Sequence, residues 1–126
     1  MLGTTDVQPV VIKAIGAQVM RYDDTLASPN ISGGYLTNSA AGTSAGGATV
    51  AGGGNSGSLC PGSGAIGNRE CSNIAVGEFS TISGGIANRS SGQRSTVSGG
   101  GSNDASGAES VVGAGLAIRQ AGPVRD

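Results

Sequence analysis

From Gly77 onward a β-branched residue returns every fifteen positions among small polar neighbours: Ile82, Val97 and Val112 share one column. Ser80, Ser95 and Ser110 precede that column by two places, and Gly85, Gly100 and Gly115 follow it by three. Gly77, Gly92, Gly107 and Gly122 keep the same phase, as do Asn88 and Asn103, with Ile118 breaking the asparagine column. A short fixed period with one β-branched residue per unit predicts a solenoid whose coils stack as parallel strands. A flexible Gly/Ser linker has no reason to hold Ile and Val in phase.

Fifteen residues suffice for one turn of chain with two short strands and two tight corners, and stacked coils lie about 4.8 Å apart. Ile82, Val97 and Val112 are therefore expected to form an apolar ladder inside the coils. The glycine columns suit corners that need positive φ or close backbone approach. The asparagine column suits another corner, where the amide tolerates the left-handed region and hydrogen-bonds to its own backbone or to the next Asn.

Earlier segments carry the same phrase less regularly. Asn30-Ile31-Ser32-Gly33-Gly34, Ala48-Thr49-Val50-Ala51-Gly52 and Gly64-Ala65-Ile66-Gly67 extend the core ladder to Ile31, Val50, Ile66, Ile82, Val97 and Val112, at separations of 19, 16, 16, 15 and 15. Asn38 and Asn73 join the corner column with Asn88 and Asn103. The expected solenoid thus occupies residues 27–126, with about six coils, irregular over 27–74 and regular over 75–122; surplus residues such as Gly54–Pro61 bulge outward. Residues 1–26 read differently. Two β-rich runs, Val10–Ala14 and Gln18–Tyr22, flank Gly16 and predict a hairpin that caps the first coil, with Met20 and Tyr22 as a hydrophobic plug.

Composition bounds the assembly. The chain has 126 residues, a formal charge of −1, 2% aromatic residues and an apolar content of 37%, much of it Ala. One domain is the default, and the charge offers nothing to nucleic acid or an anionic membrane. A buried Ile or Val contributes about 1.5–3 kcal/mol, whereas ordering each of fifteen residues costs about 1–2 kcal/mol in backbone entropy. One large residue per coil is too little for a lone narrow coil, so a homotrimer whose small faces meet on an axis is expected. Met1–Thr5 lacks the charged start of a secretory signal, and no apolar run long enough to span a membrane follows, so no membrane insertion by this chain is expected.

Little in the chain points to chemistry. Without histidine a Ser-His-Asp arrangement cannot form. Cys60 and Cys71, the only cysteines, lack the Cys-x-x-Cys redox spacing and make half a structural zinc site at most; in an extracellular chain they predict a disulfide, within one chain or between chains. Adjacent Asp23 and Asp24 read as a solvated turn. Gly99–Asp104 has the wrong period for calcium-binding repeats, and no Gly-Lys-Ser/Thr follows the glycines. No cofactor, metal or catalysis is expected. Asn30-Ile31-Ser32 and Asn88-Arg89-Ser90 are formal glycosylation sequons that solenoid corners explain without sugar. A binding surface should lie where the repeat varies while its scaffold stays fixed: Glu78 and Phe79, Gln93 and Arg94, and Glu109 are the candidate ligand-facing residues, with Arg94 and Glu109 close enough for a surface ion pair.

Thr4-Thr5-Asp6, Gln8-Pro9, Ala27-Ser28-Pro29-Asn30-Ile31, Gly47-Ala48-Thr49-Val50-Ala51-Gly52-Gly53-Gly54 and the following Ser-Thr-Val-Ser-Gly-Gly repeats together resemble the left-handed β-roll heads of YadA-like trimeric autotransporter adhesins and the shafts of phage-tail-fibre-like proteins. The resemblance spans about Thr4 to Gly115, without a heptad stalk, membrane-anchor barrel or self-cleaving chaperone domain. It implies an all-β, left-handed, parallel homotrimer outside the cell or on a virus-like particle, serving attachment to a cell-surface glycan or protein. The contrasting expectation is a structural subunit that associates end to end into a filament through its hairpin.

Overall fold

The computed structural model describes residues 5–6, 8–24, 27–41, 46–55 and 71–121. These form an all-β solenoid of about five turns, with no helix among the described residues. Each turn gives one short strand to each of two sheets. The first sheet runs from β1 (Val10–Ala14) and β2 (Ala17–Asp23) through β3 (Asn30–Gly33), β5 (Thr49–Val50), β7 (Thr81–Ile82) and β9 (Thr96–Val97) to β11 (Val111–Val112). The second stacks β4 (Ser39–Ala40), β6 (Ile74–Ala75), β8 (Arg89–Ser90), β10 (Asp104–Ala105) and β12 (Arg119–Gln120).

Pairing fixes which side chains enter the core. Along the first sheet Ser32, Val50, Ile82, Val97 and Val112 are successive partners, and all five are buried. They face the Ala40, Ala75, Ser90, Ala105 and Gln120 line of the second sheet. A β-branched residue opposite alanine or serine sets a width that repeats identically in every regular coil, which is why small residues dominate the second line. Ser80, Ser95 and Ser110 are also buried beside this core.

Two expectations need correction. Ile31 is not a rung of the core ladder: it pairs with Thr49 on the outer face, and Ser32 takes the inner position against Val50. Ser32 is tolerated there because its Oγ accepts the Ala40 N–H at 2.8 Å, and Asn30 anchors the same register by accepting the Ala48 N–H at 2.9 Å. A one-residue shift moves every side chain to the other face, so these two polar bonds decide the facing. The turns number about five rather than six. Among the described residues Val50 pairs directly with Ile82, and Ser39 with Ile74; Ile66, expected as a further rung, lies outside the described residues.

At the N-terminal end β1 and β2 form an antiparallel hairpin that continues the first sheet beyond β3. Its turn residues Ile15 and Gly16 have φ of 50° and 77°. The expected plug is absent: Tyr22 is 38% exposed and lies on the outer face opposite Ile31, whereas Arg21 pairs with Ser32 on the inner one. The inner line therefore ends in Ser32 and Arg21, and Arg21 is ion-paired to Asp23 at 2.7 Å.

The serine column yields a first prediction. Ser95 Oγ lies 2.7 Å from Ser90 Oγ and donates to Gly92 O, whereas Ser80 Oγ is buried without a partner, alanine 75 standing where Ser90 stands one coil on. Ala48 occupies the equivalent place below Ser80, since Thr49 N bonds Ser80 O as Ile31 N bonds Ala48 O. Ser80→Ala is expected to be neutral or stabilising by up to about 1 kcal/mol, and Ser95→Ala to destabilise by about 1–2 kcal/mol, both read from urea denaturation midpoints.

Candidate functional site

Two corners define each coil, and they differ in kind. The first is built from asparagine. Asn38, Asn73, Asn88 and Asn103 stack with every side chain engaged: Oδ1 of each accepts the backbone N–H one coil on, from Asn73, Asn88, Asn103 and Ile118 in turn, at 2.8–3.0 Å. Each Nδ2 donates to glycine carbonyls, as Asn88 does to Gly84 and Gly100, both at 3.0 Å. The asparagines themselves are not left-handed; in the regular coils the positive φ falls on Ala87, Ser102 and Ala117, the residues before Asn88, Asn103 and Ile118. This corner is scaffold. Asn30 and Asn88 are both buried, and the Asn88 Nδ2 donates to Gly84 and Gly100, so neither sequon presents an exposed amide to a glycosylating enzyme.

The opposite corner carries the candidate recognition column. Here the N–H of Ser80, Ser95 and Ser110 bonds back to Gly77, Gly92 and Gly107, closing a tight turn whose third residue is Phe79, Arg94 or Glu109, with φ of 55°, 56° and 59°. Glycine or asparagine usually fills such a place, and Gly47 does so one coil below. Large side chains in left-handed backbone cost about 1–2 kcal/mol per residue, and here three successive coils bear that cost while pointing them outward. The stacking glycines make room: a Cβ on Gly77 or Gly92 would fall well inside contact distance of the carbonyl oxygen one coil on.

The column is cross-linked along its length. Gln93 Nε2 donates to Glu78 Oε2 at 2.9 Å and Arg94 Nη1 to Gln93 Oε1 at 3.2 Å. Arg94 meets Glu109 at 2.6 Å, and with both side chains more than half exposed the pair contributes at most about 1 kcal/mol. Phe79 lies against Gly47, where a Cβ would approach its Cδ1 to 2.5 Å, yet it remains 45% exposed. Glu78, Phe79, Gln93, Arg94 and Glu109 thus form one continuous strip, with an aromatic end and a charged end.

Sequence reasoning passed over a second surface. The outer line of the first sheet runs Val10, Tyr22, Ile31, Thr49, Thr81, Thr96, Val111, and neither it nor the flanking Gly33, Ala51, Ser83, Ser98 and Gly113 carries a charge. The corresponding line of the second sheet is Ser39, Ile74, Arg89, Asp104, Arg119. The alternation of threonine with the buried valines was the signal available in the sequence. Cys71 is buried and disulfide-bonded; Cys60 lies outside the described residues. Among the described residues no group of three or more His, Cys, Asp or Glu is placed to hold a metal ion.

The class these features define is an all-β solenoid of parallel coils with an uncharged sheet face and a varied outward corner. No family model, curated protein or solved structure matches the chain.

Proposed function

We propose that the chain is a non-catalytic segment of a trimeric fibre, displayed outside the cell or on a particle, that attaches to a glycan or protein surface. The observation that carries this reading is the contrast between the two sheets. One outer face is flat, uncharged and lined by Thr49, Thr81, Thr96 and small residues, so three copies related by a parallel axis meet there without like-charge repulsion. The other is charged, with Arg89 and Arg119 exposed and Asp104 buried between them in the ladder, and offers no such uncharged seam. With the shared face inward, the strip from Glu78 to Glu109 points away from the axis once per protomer, and three such strips turn weak contacts into avidity. The N-terminal hairpin serves as the end cap, with Arg21 and Ser32 closing the apolar line in polar groups.

Those polar groups also disfavour the filament reading, in which apolar ends stack. Light scattering on the purified chain, with and without reductant and over a wide range of concentration, tests both. A sharp species at three times the chain mass is expected in either redox state. A compact monomer at every concentration overturns the trimer, and growth into long polymers replaces it with the filament subunit.

A further inference from the structure

The hairpin is amphipathic, and its polar face is turned toward the solenoid's own axis. Register places Val11, Lys13, Gln18, Arg21 and Asp23 on the inner side, where Ser32 continues the line. Val10, Ile12, Ala14, Ala17, Met20 and Tyr22 fall on the outer side, continued by Ile31. In a self-sufficient sheet the apolar side would face the core. Here Ile12 and Tyr22 are each 38% exposed, as is Val11, the apolar residue on the inner side.

We propose that this outer hairpin face is the principal contact between copies of the chain, holding the trimer together at its N-terminal end; the inference rests on the trimeric reading above. Three observations favour a second copy as the occupant. The face is continuous, strand by strand, with the uncharged face of β3, β5, β7, β9 and β11, so one surface covers both. Parallel copies about an axis bring identical rows to the same height, and a row of Val10, Tyr22 and Ile31 accepts its own image because it has no charge to repel. Along that surface the remaining rows are threonine, serine, alanine and glycine until Val111, so the large apolar area that dominates association energy is concentrated on the hairpin.

The test compares opposite faces of the same hairpin. Ile12→Lys with Tyr22→Lys should raise the concentration for half-association by about a hundredfold or more. Val11→Glu, on the inner face opposite Arg21, should shift it by less than about threefold. Far-UV circular dichroism monitors folding. If the lysine variant loses its β signal, Ile12→Thr with Tyr22→Thr, which keeps β-propensity, is measured in its place. In a Tyr35→Phe background, Tyr22 is the only tyrosine, and its fluorescence should become shielded from acrylamide as the chain associates. A wild-type trimer whose half-association concentration survives both outer-face variants, or whose Tyr22 stays fully quenchable, overturns this inference and leaves the trimer standing. A wild type that never associates overturns both.

Discussion

Gly85→Ala is expected to destabilise the solenoid by at least about 4 kcal/mol, enough to abolish cooperative unfolding in a domain of ordinary stability. Gly85 has φ +84°, which an L side chain enters at a cost of about 1–2 kcal/mol. Its added Cβ would also fall well inside contact distance of the Gly100 carbonyl oxygen and 2.8 Å from both Gly100 N and Asn88 Nδ2. The first two obstacles are the backbone of the next coil, which cannot yield without breaking its own ladder. Relief in the other direction is also closed, because Gly85 O accepts Gly54 N at 2.8 Å and Asn73 Nδ2 at 2.9 Å. The fitting control is Gly52→Ala, at a position where a Cβ meets nothing within 4 Å. It is expected to stay within about 1 kcal/mol of the parent and on the stabilising side, because it removes freedom from the unfolded chain. Thermal and urea unfolding of the two variants side by side separate the effects of close approach from those of glycine content.

The second large effect is expected at Asn88. Asn88→Ala removes two donations, to Gly84 O and Gly100 O, and the acceptance of Asn103 N–H, each at 3.0 Å. Asn103 N–H is then a buried donor without a partner, and the vacated space lies within a fully buried column. An orphaned buried group costs about 1–3 kcal/mol and each lost bond about 1 kcal/mol, so a destabilisation of about 3–5 kcal/mol is expected. Asn88→Asp keeps the acceptor but sets a carboxylate against two carbonyl oxygens, and so is expected to be no rescue at neutral pH. Hydrogen exchange adds a spatial readout: protection should fall first at Asn103 and Ile86, the amides of the interface between these coils. Were Asn88→Ala to unfold with the parent's midpoint, the corner ladder would be a consequence of stacking rather than one of its supports.

Both effects arise from the same economy. A coil with one β-branched residue gains little from burial, so its geometry is held by backbone ladders and by corners that fit only glycine or asparagine. This places the scaffold's sensitivity at Gly85, Gly100, Asn73, Asn88 and Asn103, and leaves the Glu78-to-Glu109 strip free to vary. Gln93 and Arg94 are changeable on this view because their side chains bond only to one another and to exposed partners, while the residues beneath them are not.

The fifteen-residue phase was legible in the sequence because identical coils must repeat identical contacts. Phase alone identified Ile82, Val97 and Val112 as inward and aligned Asn73, Asn88 and Asn103, while the matching phrase after Ile31 brought Asn38 into the same column. The β-rich runs around Gly16 marked the hairpin, since local turn and strand preferences suffice for that. Tertiary pairing decided the rest. Ile31 and Ser32 exchange faces because β3 is held by β2 on one side and β5 on the other, and strand register, unlike composition, is settled by which hydrogen bonds close. The phrase around Ile66 reads like a coil but lies outside the described residues, whereas the direct pairing of Val50 with Ile82 was not visible in the spacing. The hairpin's alternation was visible along the chain, but which of its sides turns outward was fixed only when Tyr22 paired with Ile31 and Arg21 with Ser32.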